Sequence, residues 1–404
     1  MDMAIVVGAV ATVIALVGLL GSTGDGRAWP SQVVVIALPI GIIAGGFVAS
    51  VGATLGWVLV AVLSAFLSVL AGTLLGSPPA LTNQHATPAA AGLALAMSAL
   101  IALGLAVIVI MWAAHLIGAF SYLNAVVVKL ALALAAAAYG LGGRGVKGMG
   151  RLVTVLALLG AMAIFGIGVF IGDLGSITSP QVTVPAVSAL DAVAYAVGVV
   201  LIGAGFPVLR VATRNNRTSG VIAAVVVAVA AGLYLLGMLA LYGGAFSLPS
   251  LVINVFPVYT PALLAAVIGG LITVVGVAVA GSCINAASES VARIQPGWYA
   301  DTEHHRGPLR SVVAIMGLVV FIVAWLAPQP VAVVSVLAVL GAATLVAEWV
   351  AWRGRAAQPA DPAGTSVGSA GAPAGSAEAP AVGAAAQASA PVGPDHGGEA
   401  SSTQ

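Results

Sequence analysis

Eleven mostly apolar stretches, each near the ~20 residues a helix needs to cross a bilayer core, leave this chain little choice of fold. They fall at roughly 3–21, 32–51, 54–76, 89–117, 122–142, 152–172, 188–212, 220–243, 260–290, 310–327 and 330–352. Only 6% of the residues are charged against 61% hydrophobic, so there are too few polar groups to clothe a water-soluble bundle. In hydrocarbon every backbone donor and acceptor has to be paired inside the chain, which makes each stretch a helix. The expected fold is an all-α polytopic membrane protein with eleven transmembrane helices.

Composition removes other classes. The net charge is +1 and no basic patch is interleaved with aromatics, so the nucleic-acid reading is dropped. Cys283 is the single cysteine, which excludes an intrachain disulfide and a cysteine-based metal site. An enzyme would need a nucleophile–base pair or a metal cluster within the spans. His115 has no companion at ligand spacing and His304–His305 lies in a loop, so the chain is read as a non-enzyme with no cofactor.

Basic residues orient the spans, because Lys and Arg gather in cytoplasmic loops. Arg27, then Arg144, Lys147 and Arg151, then Arg210, Arg214 and Arg217, then Arg293, Arg306 and Arg310, then Arg353 and Arg355 all fall on one side when eleven spans are threaded. The N-terminus is then outside and the C-terminus in the cytoplasm of a multi-pass cell-membrane protein. Residues 1–31 read as an extra transmembrane helix with its loop, retained rather than cleaved because no basic residue precedes it. From 353 to 404 the chain is rich in Ala, Pro, Gly and Ser with no apolar period, the composition of a disordered tail. Trp29, Trp57, Trp112, Trp298, Trp325, Trp349 and Trp352 lie near span ends, where an interfacial belt is expected. Lys129 lies inside the fifth span, and its stem is expected to snorkel outward. Glu289 stands four residues before Arg293, the spacing of a helical ion pair.

Two spans carry an interruption signal. In the seventh, Gly203-Ala204-Gly205-Phe206-Pro207 puts two glycines and a proline into the apolar run, and in the second, Pro39 and Ala44-Gly45-Gly46 do the same. Broken helices at matching places in two halves point to a transporter's binding site. Residues 32–173 and 174–352 each hold five spans, and an odd number inverts the second set relative to the first. The rival reading is that these glycines only let helices approach closely, since small residues are common at membrane helix interfaces.

The stretch Gly281-Ser282-Cys283-Ile284-Asn285 through Arg293-Ile294-Gln295-Pro296-Gly297-Trp298, followed by Arg306-Gly307-Pro308-Leu309-Arg310, resembles the eighth helix and following loop of the amino acid–polyamine–organocation (APC) permeases. Gly143-Arg144-Gly145-Val146-Lys147 is similar to that family's turn between spans four and five, and Gly203-Ala204-Gly205-Phe206 takes the place of its sixth span. The resemblance covers the second to eleventh spans. The first span of the repeat departs from the family's Gly-x-Gly, and no Glu-Pro pair or coupling lysine appears where some members have them.

The resemblance implies a LeuT-like 5+5 inverted repeat plus one N-terminal helix, and a secondary transporter of amino acids or related small amines, driven by an ion gradient or exchange. It implies a substrate site at Ala44, Gly45, Gly46, Gly203, Ala204, Gly205 and Phe206, where amides after Ala44 would meet a carboxylate and carbonyls near Gly203 an ammonium. Ser282 is the candidate ligand of a coupling ion, Na+ or H+ being the candidates for that ion. The alternative is a non-transporting membrane subunit or scaffold, which requires packing alone.

Overall fold

The computed structural model describes residues 30–51, 55–75, 88–120, 124–141, 144–171, 189–209, 217–242, 262–301, 306–327 and 330–356. The expected first span and the tail lie outside the described residues.

Ten helices follow one another: α1 (Pro30–Val51), α2 (Leu55–Leu74), α3 (Pro88–Phe120), α4 (Ala125–Leu141), α5 (Arg144–Ile171), α6 (Ala189–Ala204), α7 (Arg217–Tyr242), α8 (Ala262–Ile294), α9 (Arg310–Leu326) and α10 (Pro330–Ala356). They coincide with the second to eleventh expected spans. Six are long and apolar enough to cross a membrane, and four further apolar stretches are shorter. The chain is a polytopic, all but entirely helical membrane protein. Pro30, Pro88 and Pro330 each open a helix, the position where a missing N–H costs nothing. Asn124 caps α4, its side-chain oxygen accepting from Val126 N–H at 2.9 Å.

One element escaped the sequence reading. After α8 the chain makes a single 3-10 turn at Pro296–Trp298 and then a two-stranded antiparallel ribbon, β1 (Tyr299–Asp301) and β2 (Arg306–Pro308), with Tyr299 opposite Pro308. Leu309 N–H donates to Trp298 O at 2.9 Å and carries the pairing to the start of α9.

Helices α3 and α8, 33 residues each, cross at the centre. Around them α2 packs on α6 and α7, α1 on α2, α6 and α7, α4 on α8 and α9, α5 on α7 and α8, and α10 on α3 and α6. Backbones meet where side chains are absent. A Cβ added at Gly168 of α5 would stand 2.8 Å from Gly237 Cα of α7, and one at Gly281 of α8 would meet Ala136 O and the Tyr139 ring of α4 at 2.5 and 2.9 Å. The outward faces of α2, α9 and α10 expose Leu59, Leu63 and Leu67, then Ile315, Leu318 and Ile322, then Val336 and Val339. Apolar residues both inside and outside are what a helix facing lipid requires.

One expectation fails here. Helix α1 is not interrupted at Gly45–Gly46 but runs through both to Val51, with Pro39 inside it. Two glycines cost about 1 kcal/mol each relative to alanine, less than leaving amides unpaired in hydrocarbon, at several kcal/mol per group. Lys129 is half-buried, and its ammonium donates to Ala324 O of α9 at 2.6 Å, reaching from the start of α4 to the end of α9. Ala324 belongs to the last turn of α9, where carbonyls lack helical partners and the dipole is negative.

Two outcomes follow. Gly168→Ala lowers stability by about 1–3 kcal/mol through overpacking, while Gly166→Ala, with nothing within 4 Å of its Cβ, is neutral or stabilising by up to about 1 kcal/mol; unfolding in a denaturing detergent measures both. Lys129→Met costs about 1.5–3 kcal/mol in the same assay, and a loss under about 0.5 kcal/mol would show that the bond does not hold α4 to α9.

Candidate functional site

The interruption expected in the seventh span is present. Helix α6 ends at Ala204, Gly205 forms a turn, and a helical turn restarts at Pro207–Leu209. Gly205 N–H still reaches Leu201 O at 2.8 Å, but Phe206 N–H bends back to Gly203 O at 3.1 Å instead of Ile202 O. Pro207 has no N–H to continue the ladder, so the regular i→i−4 pattern lapses between Gly203 and Phe206. Glycine at the end and proline at the restart are the residues that such a break selects.

Hydrogen bonds tie this helix to its neighbours. Tyr195 Oη of α6 donates to Ile43 O of α1 at 2.7 Å, one residue before Ala44-Gly45-Gly46. Ser68 Oγ of α2 donates to Val199 O of α6 at 2.7 Å. The α1–α6 pair foreseen from sequence is therefore brought together, although one member stays whole.

The individual residues are closely packed. Gly203 abuts Ser68 of α2, Gly205 abuts Gly341 of α10, and Ala44, Ala204 and Phe206 are buried. Ala44, Gly45 and Gly46 belong to unbroken helix. Ser282 is buried on α8 and its hydroxyl donates to Ala278 O of its own helix at 2.8 Å. Glu289 accepts from Asn285 Nδ2 at 3.2 Å, so its i, i+4 partner is the amide one turn before it, while Arg293, the partner expected one turn after it, is exposed. Asp191 sits in the first turn of α6, favourable to the helix dipole and distant in sequence from the break.

A cavity of about 110 Å³ lies elsewhere, between α1, α3, α5, α7 and α8. Gly41, Trp112, Gly160, Ala231, Tyr234 and Gly276 are among the residues around it, and none of the described residues lining it is charged. Ala44, Gly203, Ala204, Gly205, Phe206 and Ser282 are not among the described residues that line it. Trp112, expected in the interfacial belt, instead lines this hollow, while Trp298, Trp325 and Trp349 are exposed at helix ends as a belt requires.

Sequence reading also passed over Glu348. It is buried on α10, on the face shared by Thr344 and Gly341 at i−4 and i−7, the face that meets α6 at Gly205. An acid inside the last apolar span was the available signal.

No protein-family model matches the sequence, and no curated relative matches it. A solved structure of similar shape is the substrate-bound outward-open state of a Na+-coupled sialic acid symporter, aligned over 87% of this chain and 80% of that one at 14% identity, with a TM-score of 0.48.

Tyr195→Phe removes the hydroxyl that joins α6 to Ile43 O and is expected to lower stability by about 0.5–1.5 kcal/mol. Amide exchange along α1 after Ile43 and along α6 should quicken in the variant. Unchanged exchange at both helices would show that the two are held by packing alone.

Proposed function

We propose that the protein is a secondary active transporter that moves amino acids or related small amines across the cell membrane by alternating access, driven by an ion gradient or by exchange. The observation that carries the proposal is the lapse in α6 at Gly203–Pro207, set against α1 in the bundle. An interrupted helix in the membrane interior is tolerated where neighbouring protein or a ligand meets its freed groups.

The neighbour relations support an inverted repeat of α1–α5 and α6–α10, with residues 1–31 outside it. Exchanging each helix with the one five later turns α2·α6 into α7·α1, α4·α8 into α9·α3, α10·α3 into α5·α8, α10·α6 into α5·α1 and α3·α4 into α8·α9, and each of these is a packed pair. The pairs α1·α6, α2·α7, α3·α8 and α4·α9 map onto themselves. The seams α5·α7 and α1·α2 have no exchanged partner of comparable extent, so the symmetry is approximate.

In this reading carbonyls at Gly203, Ala204 and Gly205 receive the substrate's ammonium group, and Phe206 closes over it. A carboxylate meets amides at Ala44, Gly45 and Gly46 when α1 unwinds there, which two adjacent glycines make easier. Ser282 turns from Ala278 O to hold the coupling ion, Na+ or H+. The moving body is α1, α2, α6 and α7, with the N-terminus outside and the C-terminus in the cytoplasm.

A second reading, a membrane subunit that packs but does not transport, is favoured by one observation: α1 is continuous. Uptake decides between them. Purified protein in liposomes is expected to accumulate or exchange at least one labelled amino acid or amine from a panel, with Na+ or a pH gradient imposed. In a Cys283→Ser background, Gly46→Cys should react with a water-soluble maleimide from alternate sides as gradient and substrate are changed. No uptake together with one fixed accessibility would leave the scaffold.

A further inference from the structure

Two arginines at the basic end of the bundle have no part in holding it together. Arg293, in the last turn of α8, and Arg310, the first residue of α9, are both exposed, and neither meets a carboxylate among the described residues. Glu289, the acid nearest to Arg293 in sequence, accepts from Asn285 instead. Arg310 does not serve its own helix either, because a cation in the first turn opposes the helix dipole.

The chain between α8 and α9 brings the two into one neighbourhood. Trp298 N–H donates to Gln295 O at 2.9 Å, closing the turn after α8, and Leu309 N–H donates to Trp298 O at 2.9 Å. Trp298 thus follows Arg293 by little more than a helical turn and is paired across the ribbon with the residue before Arg310. Ile294 and Trp298 are exposed beside them. Exposed apolar groups next to exposed guanidinium groups make an amphipathic surface of the kind found where membrane meets water.

Depth follows from length. After Arg310 the exposed positions Ala314, Ile315, Leu318 and Ile322 form one stripe along α9. Its 17 residues reach about 25 Å, against a hydrocarbon core of ~30 Å. A span this short draws its flanking residues toward the membrane, which sets Arg310 at the level of lipid phosphates.

We infer that Arg293, Trp298 and Arg310 form a binding site for an anionic phospholipid, its phosphate held by the two guanidinium groups and its acyl chains laid along the exposed stripe of α9. Arginine suits that headgroup, since its planar fork donates two parallel hydrogen bonds to a phosphate. A zwitterionic lipid adds an ammonium group that two arginines repel. A soluble phosphate lacks the chains that Ile294, Trp298 and the stripe would cover.

Full-length protein in a neutral detergent, titrated with phosphatidylglycerol or phosphatidylcholine and followed by native mass spectrometry, should bind the first more tightly. Arg293→Gln with Arg310→Gln should weaken phosphatidylglycerol binding roughly 25-fold, about fivefold for each single variant, and leave thermal stability in lipid-free detergent unchanged. Arg353→Gln with Arg355→Gln removes the same charge at the end of α10. In ~0.15 M ammonium acetate, where fields fade within about 8 Å, that pair should change phosphatidylglycerol binding by less than about twofold.

Equal losses from the two pairs would mean a diffuse positive field without a site. Displacement of the lipid by glycerol 3-phosphate at matched concentration would mean that the ligand is a soluble phosphate. Either result overturns the inference, as does phosphatidylcholine binding as tightly as phosphatidylglycerol. No transported substrate enters the assay, so its outcome is independent of uptake.

Discussion

A peptide group without a partner in hydrocarbon costs several kcal/mol, and that penalty decides where this bundle can be interrupted. Helix α1 carries two consecutive glycines and stays helical, because glycine only makes a helix cheaper to unwind while the ladder itself remains available. Pro39 of α1 also lacks a donor and the helix continues through it, so the missing donor alone does not break a span; α6 gives way where Gly203 and Gly205 come just before Pro207. The same rule governs the hydroxyls. Thr154, Ser282, Ser288 and Thr344 each donate to the carbonyl four residues before them, so they enter the interior already satisfied.

Lipid tails are as apolar as leucine, so nothing like the hydrophobic effect presses these helices together, and closeness has to come from shape. Gly168 on Gly237, Gly205 on Gly341 and Gly281 on Ala136 set backbone against backbone. Bulky side chains fill the space between these contacts, as Phe206, Ile40, Leu105 and Leu235 do, and others such as Leu59, Leu63, Leu134 and Val339 stand on the outside. Gly104 of α3 receives the Leu337 side chain of α10, a knob in the gap left by a missing Cβ.

Span positions were legible because they depend on composition and local chemistry. Apolar runs marked all ten described helices, and the proline–glycine punctuation marked the lapse in α6. What sequence could not supply was the neighbour. The carbonyl that Lys129 meets, Ala324 O, is 195 residues away, beyond any local pattern. Trp112 was placed at an interface because distance from a span end says nothing of which face turns inward. Gly45–Gly46 and Gly203–Gly205 looked alike in sequence, and only the proline following the second pair separates them. The ribbon Tyr299–Asp301 with Arg306–Pro308 was hidden in a loop too short to show a strand period.

The cross-helix hydrogen bonds divide the bundle in a way the packing alone does not. Tyr195 joins α6 to α1 and Ser68 joins α2 to α6, whereas Lys129 joins α4 to α9 and Ser290 approaches Ser98 across α8 and α3 at 3.5 Å. The first two lie within the group α1, α2, α6 and α7; the others lie within α3, α4, α8 and α9. Between the groups run α5 and α10, whose seams at Gly168–Gly237 and Gly205–Gly341 are backbone contacts between glycines. A surface without side chains has no interlocked knobs to lift out, so sliding along it costs little repacking, whereas separating α6 from α1 or α2 costs about 1 kcal/mol per hydrogen bond in addition to lost packing. Gly72 of α2 also meets Gly203 of α6 backbone to backbone, so what sets α1, α2 and α6 apart as a unit is the pair of hydrogen bonds from Tyr195 and Ser68. The cavity between α1, α3, α5, α7 and α8 has α1 and α7 of the first group and α3 and α8 of the second on its wall.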